Sequence, residues 1–210
     1  MNRDLEKYIS EHSSAEDPVL EDLYRQTHIR FVNPNMVTGH IQGKFLEFIS
    51  KMISPEMILE IGTFTGYSAI CLARGLKSGG RLITIEANDE HREFSRSYFD
   101  KAGLGSAITQ MTGRAQDIIP ELDISLDLVF IDGDKREYSE YYHTVKGKVK
   151  KGGIIVADNV LWGDKILEKD ARDPQTKGIM DFNEMIRHQT DIEKIILPVR
   201  DGLMLIIKTE

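Results

Sequence analysis

The stretch Met57-Ile-Leu-Glu-Ile-Gly-Thr-Phe-Thr-Gly-Tyr-Ser68 decides the fold, because an apolar run passes through a glycine turn into a helical pattern. Residues 57–61 predict a buried strand, and residues 68–76 predict a helix. The alternation continues along the chain, with further strands predicted at 81–86, 107–111, 126–131 and 153–157 and further helices at 89–102, 115–122 and 138–150. Strands that alternate with helices are typical of a parallel sheet covered by helices on both faces.

The two ends of the chain depart from this alternation. Residues 1–55 carry apolar side chains at helical spacing and are divided in two by Val32-Asn-Pro-Asn35. Near the other end, a helix predicted at 176–189 precedes two apolar runs, 192–199 and 202–208, which predict a closing hairpin with an antiparallel strand. We therefore expect one domain over 1–210, in which a helical cap (1–55) precedes a doubly wound α/β core (56–210).

The composition suits one globular domain, since 40% of the 210 residues are hydrophobic. The formal net charge of -7 argues against a broadly basic nucleic-acid surface but leaves room for a local basic patch. The single cysteine, Cys71, cannot form a disulfide within the chain, and no apolar run is long enough to span a membrane. No apolar secretory segment follows Met1-Asn-Arg-Asp4, so we expect a cytoplasmic protein without a membrane partner.

The glycine turn lies where doubly wound sheets bind nucleosides. Gly62 and Gly66 allow the backbone to approach a ligand closely, and Glu86 ends the next strand 24 residues after Gly62. That distance is near the spacing of about 20 residues at which an acid binds a ribose diol. The turn lacks both the G-x-G-x-x-G spacing and a Lys-Ser/Thr ending, so neither a dinucleotide nor a nucleoside triphosphate is indicated. The alternatives are glycines that merely shape a turn, a non-catalytic nucleoside-binding module, or an NAD-dependent oxidoreductase with the same fold.

Two short acidic segments follow predicted strands, Ile131-Asp-Gly-Asp-Lys135 and Ala157-Asp-Asn159, and their first aspartates are 26 positions apart. If the two strands are neighbours, about 4.8 Å apart, then Asp132, Asp158 and Asn159 converge. All of their ligand atoms are oxygens, and no cysteine or histidine stands beside them. Oxygen ligands favour Mg²⁺, Mn²⁺ or Ca²⁺ over zinc. The sequence therefore predicts a divalent-metal site, with Mg²⁺ as the default cation.

Three motifs in order resemble those of the cation-dependent class I O-methyltransferases, which use S-adenosylmethionine (SAM) and include the caffeoyl-CoA and catechol O-methyltransferases. They are Glu60-Ile-Gly-Thr-Phe-Thr-Gly-Tyr-Ser68, Ile131-Asp-Gly-Asp-Lys-Arg-Glu-Tyr138 and Asp158-Asn-Val-Leu-Trp162. The resemblance runs from about residue 36 to the end, including Leu197-Pro-Val-Arg-Asp-Gly202. It implies a Rossmann-like sheet of seven strands with the last strand antiparallel, which agrees with the predicted hairpin. It also implies methyl transfer from SAM to a hydroxyl, and a homodimer.

Carried over residue by residue, the resemblance implies three groups of site residues. The implied cofactor contacts are Met36, Thr38, Glu60, Gly62, Thr63, Ser68, Glu86, Ala115 and Asp132. The implied metal ligands are Asp132, Asp158 and Asn159. Lys135 and Asp132 form the implied catalytic pair, with the lysine at the acceptor hydroxyl. Lys135 could accept the proton of that hydroxyl or stabilise the oxyanion as a cation, and the sequence leaves both roles open.

The acceptor is less well defined than the reaction. A metal that holds two oxygens favours a small phenol with vicinal oxygens, such as a catechol. Gly163 stands where plant relatives usually have asparagine, which argues against a phenylpropanoid-CoA substrate. The alternative acceptor is 5-hydroxyuridine in tRNA, whose O4 and 5-hydroxyl are adjacent like those of a catechol. We expect the N-terminal segment and residues 163–177 to govern this choice.

Several side chains near the motifs keep more than one interpretation. Asp134 could orient the metal site or simply shape a turn, and Trp162 could wall an aromatic substrate or pack on the core. A basic cluster could contact RNA phosphates, although a solvated helix end is the simpler explanation. The cluster consists of Lys146, Lys148, Lys150 and Lys151. The six histidines show no metal spacing and receive no role.

Overall fold

The apolar run at 57–61 forms an inner strand of a seven-stranded sheet in the computed structural model. The structure describes residues 3–168 and 172–210. Residues 1–2 of the predicted cap, and residues 169–171 of the stretch predicted to influence acceptor choice, lie outside the described residues. The strands are β1 (Met57–Ile61), β2 (Arg81–Glu86), β3 (Ile108–Thr112), β4 (Leu126–Ile131), β5 (Val149–Asp158), β6 (Ile192–Leu197) and β7 (Leu203–Lys208).

The strand order is β3-β2-β1-β4-β5-β7-β6. The first five strands are parallel, and β7 runs antiparallel to both of its neighbours. This order confirms the predicted seven-stranded α/β sheet with its last strand antiparallel. The helices are α1 (Arg3–Glu11), α2 (Pro18–Arg30), α3 (His40–Ile53), α4 (Tyr67–Ala73), α5 (Arg92–Lys101), α6 (Ala115–Glu121), α7 (Tyr138–Lys146) and α8 (Pro174–Arg187).

Helices cover both faces of the sheet, because successive side chains of a strand point to opposite faces. In β1, Ile58 joins the apolar cluster built with α2 to α5, and Leu59 joins the cluster built with α6 to α8. Burial on both faces explains why the strands read as continuous apolar runs. Within the described ranges, no helix has the length and apolar character needed to cross a membrane.

Helices α2 and α3 each bury part of their apolar surface in the body of the protein, whereas Leu5 and Tyr8 of α1 are exposed. Leu23 of α2 and Leu46 of α3 are fully buried in the same cluster as Ile58. The predicted break falls between the two helices, since α2 ends at Arg30 and α3 begins at His40. The connecting segment borders the main cavity with residues 32–38. Helices α2 and α3 therefore contribute to the core, and the segment that connects them borders the cavity.

The register of the sheet brings the predicted site residues side by side. Ile61 pairs with both Ile85 and Ile131, and Ile131 pairs with Ala157. The residues that directly follow these partners at the carboxyl edge are Glu86, Gly62, Asp132 and Asp158. Neighbouring strands are about 4.8 Å apart, so these four residues share one short row at the edge of the sheet.

The largest boundary errors lie between α7 and β5: the helix predicted at 138–150 ends at Lys146, and the strand predicted at 153–157 already begins at Val149. The helix predicted at 68–76 ends at Ala73. Gly147 follows the last helical residue, and Val149 pairs in register with Leu126 of β4. The lysines that follow have good helix propensity, but pairing with β4 overrides it. The basic cluster therefore spans the end of α7 (Lys146), the turn (Lys148) and the start of β5 (Lys150 and Lys151).

Candidate active site

A cavity of about 800 Å³ opens at the carboxyl edge of the sheet, beside the row formed by the strand ends. It is lined by the glycine turn, both acidic segments and the connector between α2 and α3. The predicted cofactor contacts that line it are Met36, Thr38, Gly62, Thr63, Ser68, Glu86, Ala115 and Asp132. The candidate metal ligands Asp132, Asp158 and Asn159 and the candidate catalytic residue Lys135 line it as well. Eleven of the twelve predicted positions are thus brought together around one cavity.

Gly62 allows the turn to pass close to β4. Its φ is 96°, and a Cβ at this position would lie only 2.2 Å from the backbone oxygen of Asp132. Glu86 fixes the same turn from the neighbouring strand, because its carboxylate accepts hydrogen bonds from the backbone N–H groups of Thr63 (3.2 Å) and Phe64 (2.9 Å). The turn is therefore fixed by the Glu86 carboxylate on one side and lies close to the backbone of Asp132 on the other.

Glu60 is the one predicted cofactor residue that does not line the cavity. It is fully buried in β1, where it accepts a hydrogen bond from Thr84 Oγ1 at 2.5 Å, and Thr84 in turn bonds the hydroxyl of Thr63. Burial raises the pKa of Glu60 to about 8, although hydrogen bonds from Thr84 and Ser68 act in the opposite direction. Glu60 lies beneath the turn and reaches the cavity wall through Thr84 and Thr63.

Asp132 and Asp158 bring two carboxyl groups to the end of adjacent strands. Asp158 is almost completely buried, and its Oδ1 accepts the backbone N–H of Asn159 at 2.7 Å. Burial, followed by the negative charge of Asp132, raises the pKa of Asp158 to about 7. Among the described residues no group of three or more His, Cys, Asp or Glu side chains could hold a metal. The candidate set consists instead of two carboxylates and the amide of Asn159.

This donor set fits a hard divalent cation. Burial and then repulsion by Asp132 disfavour the ionised form of Asp158, and a cation bound between the two carboxylates would favour it. Oxygen donors at this site suit Mg²⁺, Mn²⁺ or Ca²⁺. The residues present are therefore compatible with the predicted metal.

Lys135 lies buried next to the acidic row. Its Nζ donates to Asp132 Oδ1 at 2.7 Å and to the hydroxyl of Tyr138 at 2.5 Å. The centroid of the Trp162 ring lies 5.9 Å from the same Nζ. The Tyr138 hydroxyl donates onward to the backbone oxygen of Asp158 at 3.0 Å. Burial, then the charge of Asp132, raises the pKa of Tyr138, which keeps this hydroxyl protonated as a donor. One buried tyrosine thus connects Lys135 to the second acidic segment.

Three residues of the site were not predicted from the sequence. Tyr138 stands inside a quoted motif, but its contact with Lys135 and Asp158 depends on the fold. Gln42 Nε2 donates to Asp158 Oδ2 at 2.5 Å, and Gln42 Oε1 accepts from Arg200 Nη1 at 3.3 Å. Arg200 belongs to the closing motif at residues 197–202, whereas Gln42 gives no local signal, since Asp158 is 116 positions away.

Backbone strain is concentrated at the cavity. Six non-glycine residues of the described chain have positive φ, and four of them line the cavity: Phe64, Asn159, Trp162 and Arg200. Left-handed backbone costs about 1–2 kcal/mol at such residues, and strain of this kind clusters at functional sites. The surrounding contacts must hold these segments in place.

The remaining candidates have structural explanations. Asp134 accepts the backbone N–H of Arg136 and also binds its guanidinium, which lowers the pKa of Asp134. Within the basic cluster, Lys146 pairs with Asp191 at 2.8 Å and Lys150 with Asp127 at 2.6 Å. Lys148 Nζ donates to the backbone oxygen of Leu122. Two of the four lysines are thus paired with carboxylates within the protein, which reduces the positive charge that the cluster offers to RNA.

A model of the O-methyltransferase family matches residues 10–209. The chain belongs to the O-methyltransferase family. Relatives of this O-methyltransferase include the catechol O-methyltransferase of Niastella koreensis, which is 37% identical over 185 residues that cover 84% of this chain and 81% of the relative. Caffeoyl-CoA O-methyltransferase 1 of Eucalyptus globulus is 33% identical over 81% of this chain and 74% of that relative.

Solved structures agree with this assignment. The O-methyltransferase TomG from Streptomyces achromogenes, involved in tomaymycin synthesis and solved in complex with SAM, is 33% identical with a TM-score of 0.91 over 99% of this chain and 96% of TomG. The O-methyltransferase from Bacillus cereus in complex with S-adenosylhomocysteine (SAH) is 30% identical with a TM-score of 0.87, over 98% of this chain and 97% of that chain. The protein is accordingly a SAM-dependent O-methyltransferase of the catechol and caffeoyl-CoA type.

Proposed function

We propose that this O-methyltransferase methylates one of two vicinal oxygens of a small catechol-like molecule with the help of a bound divalent cation. The observation that carries the proposal is the side-by-side placement of Asp132 and Asp158, which follow the paired residues Ile131 and Ala157. The same edge of the sheet carries the glycine turn, so a cofactor bound there would present its methyl group near the acidic row. A relative named catechol O-methyltransferase supports the acceptor class.

We assign the cation to Asp132, Asp158 and Asn159, with Mg²⁺ as the default and Mn²⁺ or Ca²⁺ as alternatives. When bound, such a cation favours the ionised form of an acceptor hydroxyl and can hold two adjacent oxygens in one orientation. A phenol has a pKa near 10 and is mostly protonated at neutral pH, so the reaction needs this assistance. A single-oxygen acceptor would use only part of the site.

Lys135 is proposed either to accept the proton of the acceptor hydroxyl or to stabilise the negative charge of the acceptor oxyanion. Two of its hydrogens are directed to Asp132 and Tyr138. As an ammonium it keeps a third hydrogen for the acceptor oxyanion, and as a neutral amine it keeps a lone pair for the acceptor proton. The pH dependence of kcat distinguishes the two: a general base loses rate at low pH, whereas an electrostatic cation loses rate at high pH.

We assign the cofactor to the part of the cavity that the glycine turn lines, next to the acidic segments. Glu86 would bind the ribose hydroxyls, Ala115 would lie beside the adenine, and Met36 and Thr38 would flank the cofactor from the N-terminal side. The methionine part would contact Gly62, Thr63, Ser68 and Asp132. Glu60, which was expected at this part too, is assigned an indirect role, because it reaches Thr63 through Thr84.

The test measures transfer of a labelled methyl group from SAM to catechol, with total tRNA as a second acceptor. We expect catechol to be methylated, chelation to abolish turnover, and the Asp158→Ala, Asn159→Ala double variant to lose it. Asp123→Ala, an exposed aspartate of the loop after α6, is the matched control and should keep full activity. Full activity of the double variant on catechol would overturn the metal assignment, and labelling of tRNA without catechol would overturn the acceptor class.

Two further expectations concern the protein as a whole. We propose that it is a homodimer, which sedimentation velocity on the full chain would show as a species of twice the 23.9 kDa chain mass. A monomer at micromolar concentration would contradict this. We also propose a cytoplasmic location, which fractionation of the source cells would test.

A further inference from the structure

A buried amide lies directly behind the second acidic segment. Gln42, in the first turn of α3, has only 1% of its surface exposed, and its two polar atoms have different partners. Nε2 donates to Asp158 Oδ2 at 2.5 Å, and Oε1 accepts from Arg200 Nη1 at 3.3 Å. A buried amide without partners would be costly, so these two contacts account for its position.

Arg200 determines which way this amide points. A guanidinium can only donate hydrogen bonds, and a carboxylate can only accept them. With Oε1 toward Arg200 and Nε2 toward Asp158, both contacts are favourable. The flipped amide would direct N–H groups at Arg200 and an oxygen at the carboxylate of Asp158. Arg200 therefore fixes the orientation of the amide in which Gln42 Nε2 donates a hydrogen bond to Asp158.

Both oxygens of Asp158 are thereby held by one donor each. Oδ1 accepts the backbone N–H of Asn159, and Oδ2 accepts Gln42 Nε2. A carboxylate has about four lone-pair sites, so two remain for another ligand after these bonds form. The orientation of the carboxylate is fixed before any ligand arrives.

The turn that carries Arg200 also holds the segment that follows Asp158. The carboxylate of Asp201 accepts the backbone N–H of Gly163, and its backbone oxygen accepts the N–H of Leu161 at 2.9 Å. Arg200 Nη1 donates in addition to the backbone oxygen of Val37 at 3.1 Å and to that of Thr38. One turn thus joins the acidic segment to the connector that flanks the cavity on its N-terminal side.

We infer that Gln42 is a positioning residue for Asp158, and that Arg200 acts through Gln42 to prepare this carboxylate for a divalent cation. The inference rests on the proposed function, because it needs Asp158 to be a metal ligand. Partners that orient a ligating group typically change metal affinity by 10- to 100-fold when they are removed. Gln42 is expected in that range, although it does not touch the cation.

The experiment measures Mn²⁺ binding to the full chain from the electron paramagnetic resonance signal of free Mn²⁺, and SAH binding by calorimetry. Gln42→Leu removes the donor at similar volume and should weaken Mn²⁺ binding by about 10- to 100-fold while SAH affinity stays within about threefold. Arg200→Met should weaken Mn²⁺ binding in the same direction. The double variant should match Gln42→Leu, because residues that act through one contact are non-additive.

A second glutamine–arginine pair supplies the matched control. On α2, Arg30 Nε donates to Gln26 Oε1 at 3.0 Å on an exposed helix face. Gln26→Leu should leave both affinities unchanged. Since Arg200 is exposed, Arg200→Met provides a test even where Gln42→Leu does not fold.

Each other outcome overturns a stated part of the inference. Unchanged Mn²⁺ affinity in Gln42→Leu would exclude the positioning role, and equal losses of Mn²⁺ and SAH affinity would make Gln42 merely structural. Additive losses in the double variant would exclude action of Arg200 through Gln42. Absence of Mn²⁺ binding by the wild-type protein would instead refute the metal site itself, and the inference with it.

Discussion

At the position of Gly62, the absence of a side chain decides whether the turn and β4 can meet. We predict that Gly62→Ala destabilises the protein by about 2–5 kcal/mol, because a Cβ there would lie 2.2 Å from the backbone oxygen of Asp132 and the φ of 96° already disfavours alanine. The displaced Asp132 should reduce kcat/KM at least tenfold. Denaturant unfolding and methyl-transfer assays measure the two effects.

Gly79→Ala separates the steric effect from the backbone effect. Gly79 has a φ of 78°, but nothing lies within 4 Å of a Cβ at that position. This control should cost only the backbone strain of about 1–2 kcal/mol and leave kcat/KM unchanged. Equal destabilisation of the two variants would show that contact with Asp132 is unimportant.

The raised pKa of Glu60 leads us to expect that the protein becomes less stable as the pH rises. Its folded-state pKa of about 8 is raised above the ordinary value of 4.5, so between these values the folded protein holds a proton that the unfolded chain has released. The unfolded state then binds fewer protons, and stability falls as pH rises from about 5 to 8. We predict that Glu60→Gln, which cannot ionise, flattens this dependence in the cofactor-free protein.

Thermal unfolding at several pH values measures the effect. At pH 5 the wild-type protein and Glu60→Gln should have similar melting temperatures, and at pH 8 the variant should melt several degrees higher. Parallel pH profiles for the two proteins would show that Glu60 does not carry the raised pKa. Glu121→Gln, on the exposed end of α6, should leave the wild-type profile unchanged.

Residues that follow strands could be predicted from the sequence, and residues that meet across the fold could not. Asp132 and Asp158 directly follow apolar runs, so their common edge follows from parallel pairing alone. Gln42 lies in an ordinary helical pattern, and its contact with Asp158 requires α3 to pack beside β5. The prediction for Glu60 fails in the opposite way. Its place in the motif suggested that it lines the cavity, but in β1 its side chain is fully buried.

At the level of elements, α8 supports the segment that carries Lys135. A Cβ at Gly178 would lie 2.4 Å from the backbone oxygen of Lys135 and 2.7 Å from Cα of Arg136. Glycine to alanine inside a helix normally stabilises by about 0.5–1 kcal/mol. We predict the opposite sign for Gly178→Ala, with a loss of about 1–3 kcal/mol and a lower kcat, because α8 or the Lys135 segment must move.

Gly147→Ala is the control for this element. Gly147 follows the last residue of α7 with a φ of -67°, and nothing lies within 4 Å of a Cβ there. This variant should be neutral or slightly stabilising, with unchanged kcat. If Gly178→Ala unfolds at or above the wild-type temperature with full kcat, α8 does not position Lys135.

The type and order of the sheet elements could be predicted, but some of their boundaries could not. The helix predicted at 138–150 stops at Lys146 because Val149 pairs with Leu126, a residue far away in sequence. Local propensity contains no information about that partner. The same pairing brings Lys150 to Asp127, which explains why the basic cluster is not a free patch.

For the whole molecule, the net charge of -7 and the internal pairing of Lys146 and Lys150 both disfavour binding to a polyanion. This agrees with a small acceptor.

Cofactor binding should stabilise the molecule as a unit, because residues of β1, β2, β5, the segment after β4 and the connector between α2 and α3 all line the cavity. SAH at 100 times its Kd should add about 2.7 kcal/mol by mass action. For a chain of this size that corresponds to a rise in Tm of roughly 5–11 °C. Differential scanning fluorimetry measures it, with NAD as the control ligand because the turn lacks the dinucleotide spacing. A rise with NAD but none with SAH would contradict the assignment of this cavity to SAM.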